Sequence, residues 1–249
     1  MVRFMLTDER WSKLKTIMLQ HGIYDKPNLR MIVEAILYRM RVGCPWRDLP
    51  HIFGLWNSIY QQFNRWSSRN KLMHIFKSLV SHPDLEWEFI DGTVVKAHQH
   101  SMGAAGNHEQ AIGKSPGGNT TKIHMAAESN GMPIDFKLTG GHVHECKVAV
   151  DFIEQLPVSE YTIADMGYDS EDVRDSIRNK SSTPIIPRKS NSLIGNKNMD
   201  WFLYKFRHLI ENAFARLKHF RSIATRYDKL KRNYESMLAL ACGYLWLPL

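Results

Sequence analysis

The chain has 249 residues, 43% of them apolar, a formal charge of +8 and three cysteines. That length supplies one large domain or two modest ones with ample core, and nothing in it is low-complexity or repeated. Cys44, Cys146 and Cys242 stand far apart with no CxxC pair, which argues against a structural zinc site and for a reducing compartment.

The N-terminus lacks the apolar run of a signal peptide, and no stretch of about 18 uncharged apolar residues occurs, so a soluble intracellular protein with no membrane partner is expected. The charge is unevenly spread. Residues 1–80 carry 13 Lys and Arg against 5 Asp and Glu, residues 81–160 carry 5 against 11, and residues 161–249 carry 15 against 9. Basic blocks on either side of an acidic centre suit a protein that grips a polyanion at its ends and binds metal in the middle.

The first eighty residues read as helices. Thr7 caps a first helix with Asp8 and Glu9 in its opening turn, and Gly22 ends it. Asn28 precedes a second, with Ile32, Val33, Ile36, Leu37 and Met40 at helical spacing and Gly43 at its end. A third runs from Leu55 to Ser68, with Leu55, Ile59, Phe63 and Trp66 facing inward. Its outward face carries Asn57, Gln61, Gln62, Asn64 and Arg65, side chains able to make bidentate contacts with base edges. A helix-turn-helix-like DNA-binding domain over residues 1–80 is therefore expected, with a plain helical bundle as the bland alternative. A last helix from Lys71 to Val80 leads to His82-Pro83, the expected domain boundary.

The period then changes. Trp87, Phe89 and Ile90-Asp91-Gly92-Thr93-Val94-Val95 read as a strand with a carboxylate inside it, costly unless paired or metal-bound. A Gly-rich loop follows from His98 to Thr121; it has no Walker spacing, and His98 and His100 are its weak metal candidates. Strands at 122–128 and 134–138 flank an Asn-Gly turn, and a helix spans 145–155. Another strand, 161–164, ends at Asp165, a helix contains Val173 and Ile177, and a proline-bracketed edge strand covers 184–187.

From Asp200 to Arg232 the pattern reads as one continuous helix. Tyr204, Glu211 and Lys218 sit one heptad apart with Arg207 a turn after the first, beside an apolar stripe of Leu203, Phe206, Ile210, Ala213, Phe214 and Leu217. Charges at such spacing also arise as a solvated, mutually paired face. The order after residue 85 predicts a mixed sheet with helices packed on it over residues 81–249. Asp91, Asp165 and Glu211 then come from separate elements able to meet, the donor set that a pair of magnesium ions needs.

Tyr204-x2-Arg207-x3-Glu211-x6-Lys218, F-I-D-G-T-V-V-K-A-H-Q-H around Asp91, I-A-D-M-G-Y-D around Asp165 and R-S-I-A-T-R-Y-D-K-L from Arg221 together resemble a DDE transposase of a bacterial insertion sequence, of the group called insertion sequence family five. The resemblance covers nearly the whole chain. It implies a ribonuclease H-like α/β catalytic domain and binding to terminal inverted repeats and target DNA. It also implies phosphoryl transfer dependent on two Mg2+ ions, with Mn2+ as a substitute. Asp91, Asp165 and Glu211 would be the catalytic metal ligands. Tyr204, Arg207, Lys218, Arg221 and Arg226 would contact DNA, as would Gln61, Gln62 and Arg65 of the N-terminal domain, with positioning of Glu211 as the alternative role for Arg207 and Lys218. A homodimer or larger assembly follows from the need to synapse two ends, and a cytoplasmic, nucleoid-associated location in a bacterium is expected. The alternatives are a metal-dependent nuclease without strand transfer and a DNA-binding relic without catalysis.

Overall fold

The computed structural model describes residues 3–104 and 110–248. Four helices come first: α1 (Asp8–Gln20), α2 (Leu29–Val42), α3 (Trp56–Ser68) and α4 (Lys71–Leu79). Strands β1 (Trp87–Ala97), β2 (Gly113–Ser115), β3 (Gly118–Ala127) and β4 (Pro133–Gly140) follow, then α5 (Cys146–Gln155), β5 (Tyr161–Ala164), α6 (Glu171–Asn179) and β6 (Thr183–Ile185). The chain closes with α7 (Trp201–Tyr204), α8 (His208–Lys218), α9 (Arg221–Ala224), β7 (Thr225–Arg226) and α10 (Lys231–Trp246). These form two compact units, one of residues 1–81, 96–110 and 217–249, the other of residues 82–95 and 111–216. Their bounds differ from the two spans read from the sequence, because α10 packs on α3 and α4.

The helical unit is built as its caps and periodicity dictate. The Thr7 hydroxyl accepts from the Arg10 N–H, and Gly43 ends α2 in the left-handed conformation at φ +73°. Buried Glu34 accepts from the backbone N–H groups of Met5 and Leu6, which pins the N-terminal segment. Leu55 departs from expectation: it lies just outside α3 as its N-cap and is 76% exposed. Arg39 and Asp228 form a buried ion pair at 3.3 Å, with the guanidinium 4.4 Å over the Trp46 ring. The end of β1 pairs in parallel with β7, Lys96 opposite Thr225 and Ala97 opposite Arg226.

The expected long helix is broken in several places. Residues 200–232 instead form α7, a 3-10 turn at Lys205–Arg207, α8, the short α9 and then extended chain. Phe220 turns the backbone out of helical geometry (ψ 111°), and Thr225 must be extended to pair with Lys96. Within the loop expected from His98 to Thr121, β2 and the start of β3 form an antiparallel hairpin turning at Gly118, φ +91°. Part of that loop, residues 105–109, lies outside the described residues.

The second unit holds a mixed sheet in the order β2-β3-β1-β5-β6, with β4 also on β3. β5 runs parallel to β1 and to β6, whereas β3 and β4 are antiparallel across the Asn130-Gly131 turn. Helices α5 and α6 pack together and bury Val148, Phe152, Val173 and Ile177. The middle of β1 is buried over four successive residues, Glu88 to Asp91, so two carboxylates are carried into the interior.

Glu88 faces Thr162 across the β1–β5 pairing and a cluster of hydroxyls from Ser159, Thr162 and Ser182. Burial raises its pKa to about 7, with the Lys180 charge and the Thr162 hydroxyl opposing. The unfolded chain releases this proton near pH 4.5, whereas the folded chain keeps it to about 7. Stability is therefore greatest at low pH within this window and falls as pH rises through 7, by roughly 2 kcal/mol between pH 5 and 8. Urea midpoints across that range should show the loss in the wild type and a flatter profile in Glu88→Gln.

Candidate active site

Asp91, Asp165, Tyr204, Arg207 and Glu211 all belong to the sheet unit. Asp91 comes from the middle of β1 and is 9% exposed; its Oδ1 accepts from the Gly92 N–H at 2.7 Å. Asp165 follows the last residue of β5, where the parallel strand ends in a 3-10 turn, and its Oδ1 accepts from the Gly167 N–H at 2.8 Å. Glu211 projects from the first turn of α8 and is exposed. α8 is held against the unit by its apolar stripe, in which Ile210, Ala213 and Phe214 are buried. It is also held by Arg216, whose guanidinium donates to the Gly131 carbonyl at 2.8 Å.

Arg207 links two of the three acids. Its Nη1 donates to Asp91 Oδ2 at 2.9 Å, and its Nη2 donates to Glu211 Oε1 in a short contact. Burial raises the Asp91 pKa to about 6, against the opposing Gly92 N–H and Arg207 guanidinium, and the charges of Asp165 and Glu211 push it further up. For Arg207, burial works against the charge, but Asp91 and Glu211 outweigh it and the net shift is upward. Tyr204 is half-buried, with its pKa raised by burial, and Trp201 meets its ring edge-on at 5.8 Å.

Behind Asp91 lies a cluster that sequence reasoning did not assign. A Cβ built on Gly92 would sit 3.6 Å from the Tyr168 hydroxyl and 3.7 Å from Glu145 Oε1. Lys122, 7% exposed, donates to Glu145 at 2.7 Å and to the Val143 carbonyl at 2.8 Å. The Cys146 thiol donates to the Gly167 carbonyl, tying the start of α5 to the Asp165 turn. Among the described residues the buried Tyr168 hydroxyl has no hydrogen-bond partner, and burial together with Asp91, Asp165 and Glu145 lifts its pKa well above the tyrosine range. The available signal was its position three residues after Asp165 in D-M-G-Y-D.

The donor set suits a hard divalent cation. It consists of the carboxylate oxygens of Asp91 and of Asp165 and Glu211, whose charges act on it, next to a buried hydroxyl without a partner among the described residues. As placed, however, no three His, Cys, Asp or Glu side chains among the described residues are grouped closely enough to hold an ion. His98 and His100 do not supply one: the two rings lie 4.8 Å apart, and His98 stacks on Tyr227 at 4.4 Å.

The other sequence-derived contacts divide. Gln61, Arg65 and Arg221 are exposed, and Gln62 is half-buried. Lys218, at the end of α8, is half-buried and has its pKa lowered by burial. Arg226 requires correction. It is 0% exposed, and its guanidinium donates to the carbonyls of Asp228 and Lys229 and lies 5.3 Å over the Tyr234 ring. A phosphate-facing position assumed a continuous helix, whereas the strand β7 turns this side chain inward.

An unpartnered buried hydroxyl costs about 1–3 kcal/mol. Tyr168→Phe is therefore expected to leave thermal stability unchanged or to raise it by about 1 kcal/mol. A melting curve shifted clearly downward would mean that the hydroxyl is satisfied in solution.

Asp91 and Asp165, on or just after two parallel strands, and Glu211, on a helix, lie in one unit, and comparison with known proteins gives the family. Residues 89–246 match the family described as "Transposase DDE domain", and residues 6–76 match one described as "Putative transposase of IS4/5 family". The chain belongs to the DDE transposases, enzymes acting on DNA. It is 35% identical over 130 residues to a protein of Brucella ovis described as "Putative transposase for insertion sequence element IS6501", covering 51% of this chain and 98% of that protein. It is 26% identical over 133 residues to the "Putative transposase for insertion sequence element IS402" of Burkholderia cepacia, covering 49% of this chain and 60% of that one. Among the described residues no helix is long and apolar enough to cross a membrane.

Proposed function

We propose that the chain binds the terminal inverted repeats of an insertion sequence and catalyses metal-dependent DNA cleavage and strand transfer. One observation carries this reading: Asp165, at the end of β5, and Glu211, on α8, both act electrostatically on the buried Asp91 of β1 within a single unit. The strand order β4-β3-β1-β5-β6, with β1, β5 and β6 parallel, supports a ribonuclease H-like fold.

In this mechanism Asp91, Asp165 and Glu211 would hold two Mg2+ ions, with Mn2+ as a substitute. The bound ions would supply activation of an attacking oxygen and stabilisation of the leaving oxygen in an in-line displacement. Arg207 and Lys218 hold backbone phosphate, and Tyr204 orients the strand. The helical unit supplies end recognition, with Gln61, Gln62 and Arg65 of α3 at base edges and Arg221 on phosphate. Synapsis of two ends requires at least a dimer.

The test is an assay of purified protein with Mg2+ on DNA carrying the candidate inverted repeats, with a target plasmid present. Cleavage at the ends with joined products supports transposition. Cutting without joining would leave a nuclease, and end binding without cutting would overturn the catalytic reading.

A further inference from the structure

We propose that Arg207 is a latch between metal and DNA: in the metal-free protein its fork holds Asp91 and Glu211, and a divalent cation displaces it and frees it for a phosphate. This deepens the reading above, since it takes Asp91 and Glu211 as metal ligands.

The two nitrogens of the Arg207 fork engage different acids. Nη1 reaches Asp91 on the strand at 2.9 Å, and Nη2 reaches Glu211 one helical turn further along. The guanidinium thus stands between two groups that have to converge on one cation. With the fork in this place, no ion-binding group of three is assembled among the described residues. The parts needed for release are also present. The Glu211 side chain is 52% exposed, whereas those of Asp91 and Arg207 are 13% and 23% exposed. Arg207 itself belongs to the 3-10 turn between α7 and α8, and a short tightening within an otherwise helical run is a common hinge.

The exchange is favoured on charge grounds. A compact divalent ion neutralises crowded carboxylates better than one delocalised positive charge. Arg207 is then left half-buried without its partners, and the planar fork that matched two carboxylate oxygens matches two phosphate oxygens. Coupling of this kind is reciprocal: whatever factor metal adds to DNA affinity, DNA adds to metal affinity.

The test uses the full chain and two binding readouts. Mn2+ affinity of the free protein is measured by calorimetry, and affinity for an end duplex is measured with and without Ca2+. Arg207→Gln is expected to bind Mn2+ about 5-fold or more tighter than wild type, within the ordinary range of coupling, and to lose the metal-induced gain in DNA affinity. Arg207→Lys keeps the charge but not the two-pronged contact, so it is expected to bind Mn2+ more tightly than wild type too. Equal or weaker Mn2+ binding by Arg207→Gln overturns the latch. So does Arg207→Lys behaving as wild type, which would mean simple repulsion of the cation, or a Ca2+ effect on DNA that survives in Arg207→Gln. Melting curves establish that each variant is folded. Asp91→Asn separates the two failures. If it loses Mn2+ while Arg207→Gln gains nothing, only the latch falls; if it binds Mn2+ as wild type does, the ligand reading falls and takes the latch with it.

Discussion

Asp91→Asn, Asp165→Asn and Glu211→Gln are each expected to lower end cleavage by about 10³-fold or more while leaving end binding largely intact. Loss of one neutral hydrogen-bond donor to a transition state typically costs about 10²–10³-fold, and a charged ligand to the reacting centre is worth at least that. The Asp91 variant carries a second expectation of opposite sign. Burial makes the folded protein hold the Asp91 proton to about pH 6, so its ionised form opposes folding at neutral pH. The uncharged amide removes that opposition, and the melting temperature should stay the same or rise as catalysis disappears. Activity retained in any one variant would remove that residue from the site. A fall in melting temperature alongside lost activity in Asp91→Asn would mean that the Arg207 contact is worth more to the fold than burial costs.

Asp228→Ala is expected to be the most damaging change to stability, at about 3–5 kcal/mol, the usual result of stranding a buried charge. Arg39 and Asp228 are each 7% exposed at the side chain, and Asp228 is the carboxylate that meets the Arg39 guanidinium in the helical unit. Two other nitrogens of that guanidinium, Nε and Nη1, already lack partners and rest on Trp46. For a chain of this size the loss corresponds to a fall of about 10 °C in melting temperature. Replacing both members, Arg39→Met with Asp228→Leu, should recover most of it, because the cost lies in the unpaired charge rather than in the missing attraction. A loss below about 1 kcal/mol in the single variant would indicate that water reaches Arg39.

How much of this was legible in the sequence depends on which physical signal each element carries. Helices α2 and α3 and the first strand declare themselves by period and by caps, and Asp91 and Asp165 stand out as acids within or just after apolar strand runs. Glu211 could be named because its spacing from Tyr204, Arg207 and Lys218 is local. What failed needed knowledge of distant partners. Helix α10 buries residues all round, including Met237, Leu238, Ala239, Leu240, Ala241 and Cys242, so it has no apolar stripe to announce it. Strand β7 is two residues long and exists because Lys96 and Ala97 lie beside it; nothing in Thr225-Arg226 foretells that. Missing it placed Arg226 on a surface when it is buried. The link from Arg207 to Asp91 joins residues far apart in the chain and was equally out of reach, although the pairing of Arg207 with Glu211 was open to reading at four-residue spacing.

The turn between β3 and β4 carries a consequence for the tolerances of the site. Gly131 has φ +73°, and a methyl group there would stand 2.8 Å from the carbonyl oxygen of Leu209, closer than real contacts allow. Leu209 lies two residues before Glu211, on the same helix. The position of the helix that carries Glu211 is thus gauged from behind by a surface turn, and the gauge is the absence of a single carbon atom. Since a misplacement of about 1 Å can cost a hundredfold in rate, Gly131→Ala is expected to lower cleavage on the proposed reading of Glu211, although residue 131 does not approach the substrate. The side chain it does not have works as a machinist's shim of zero thickness.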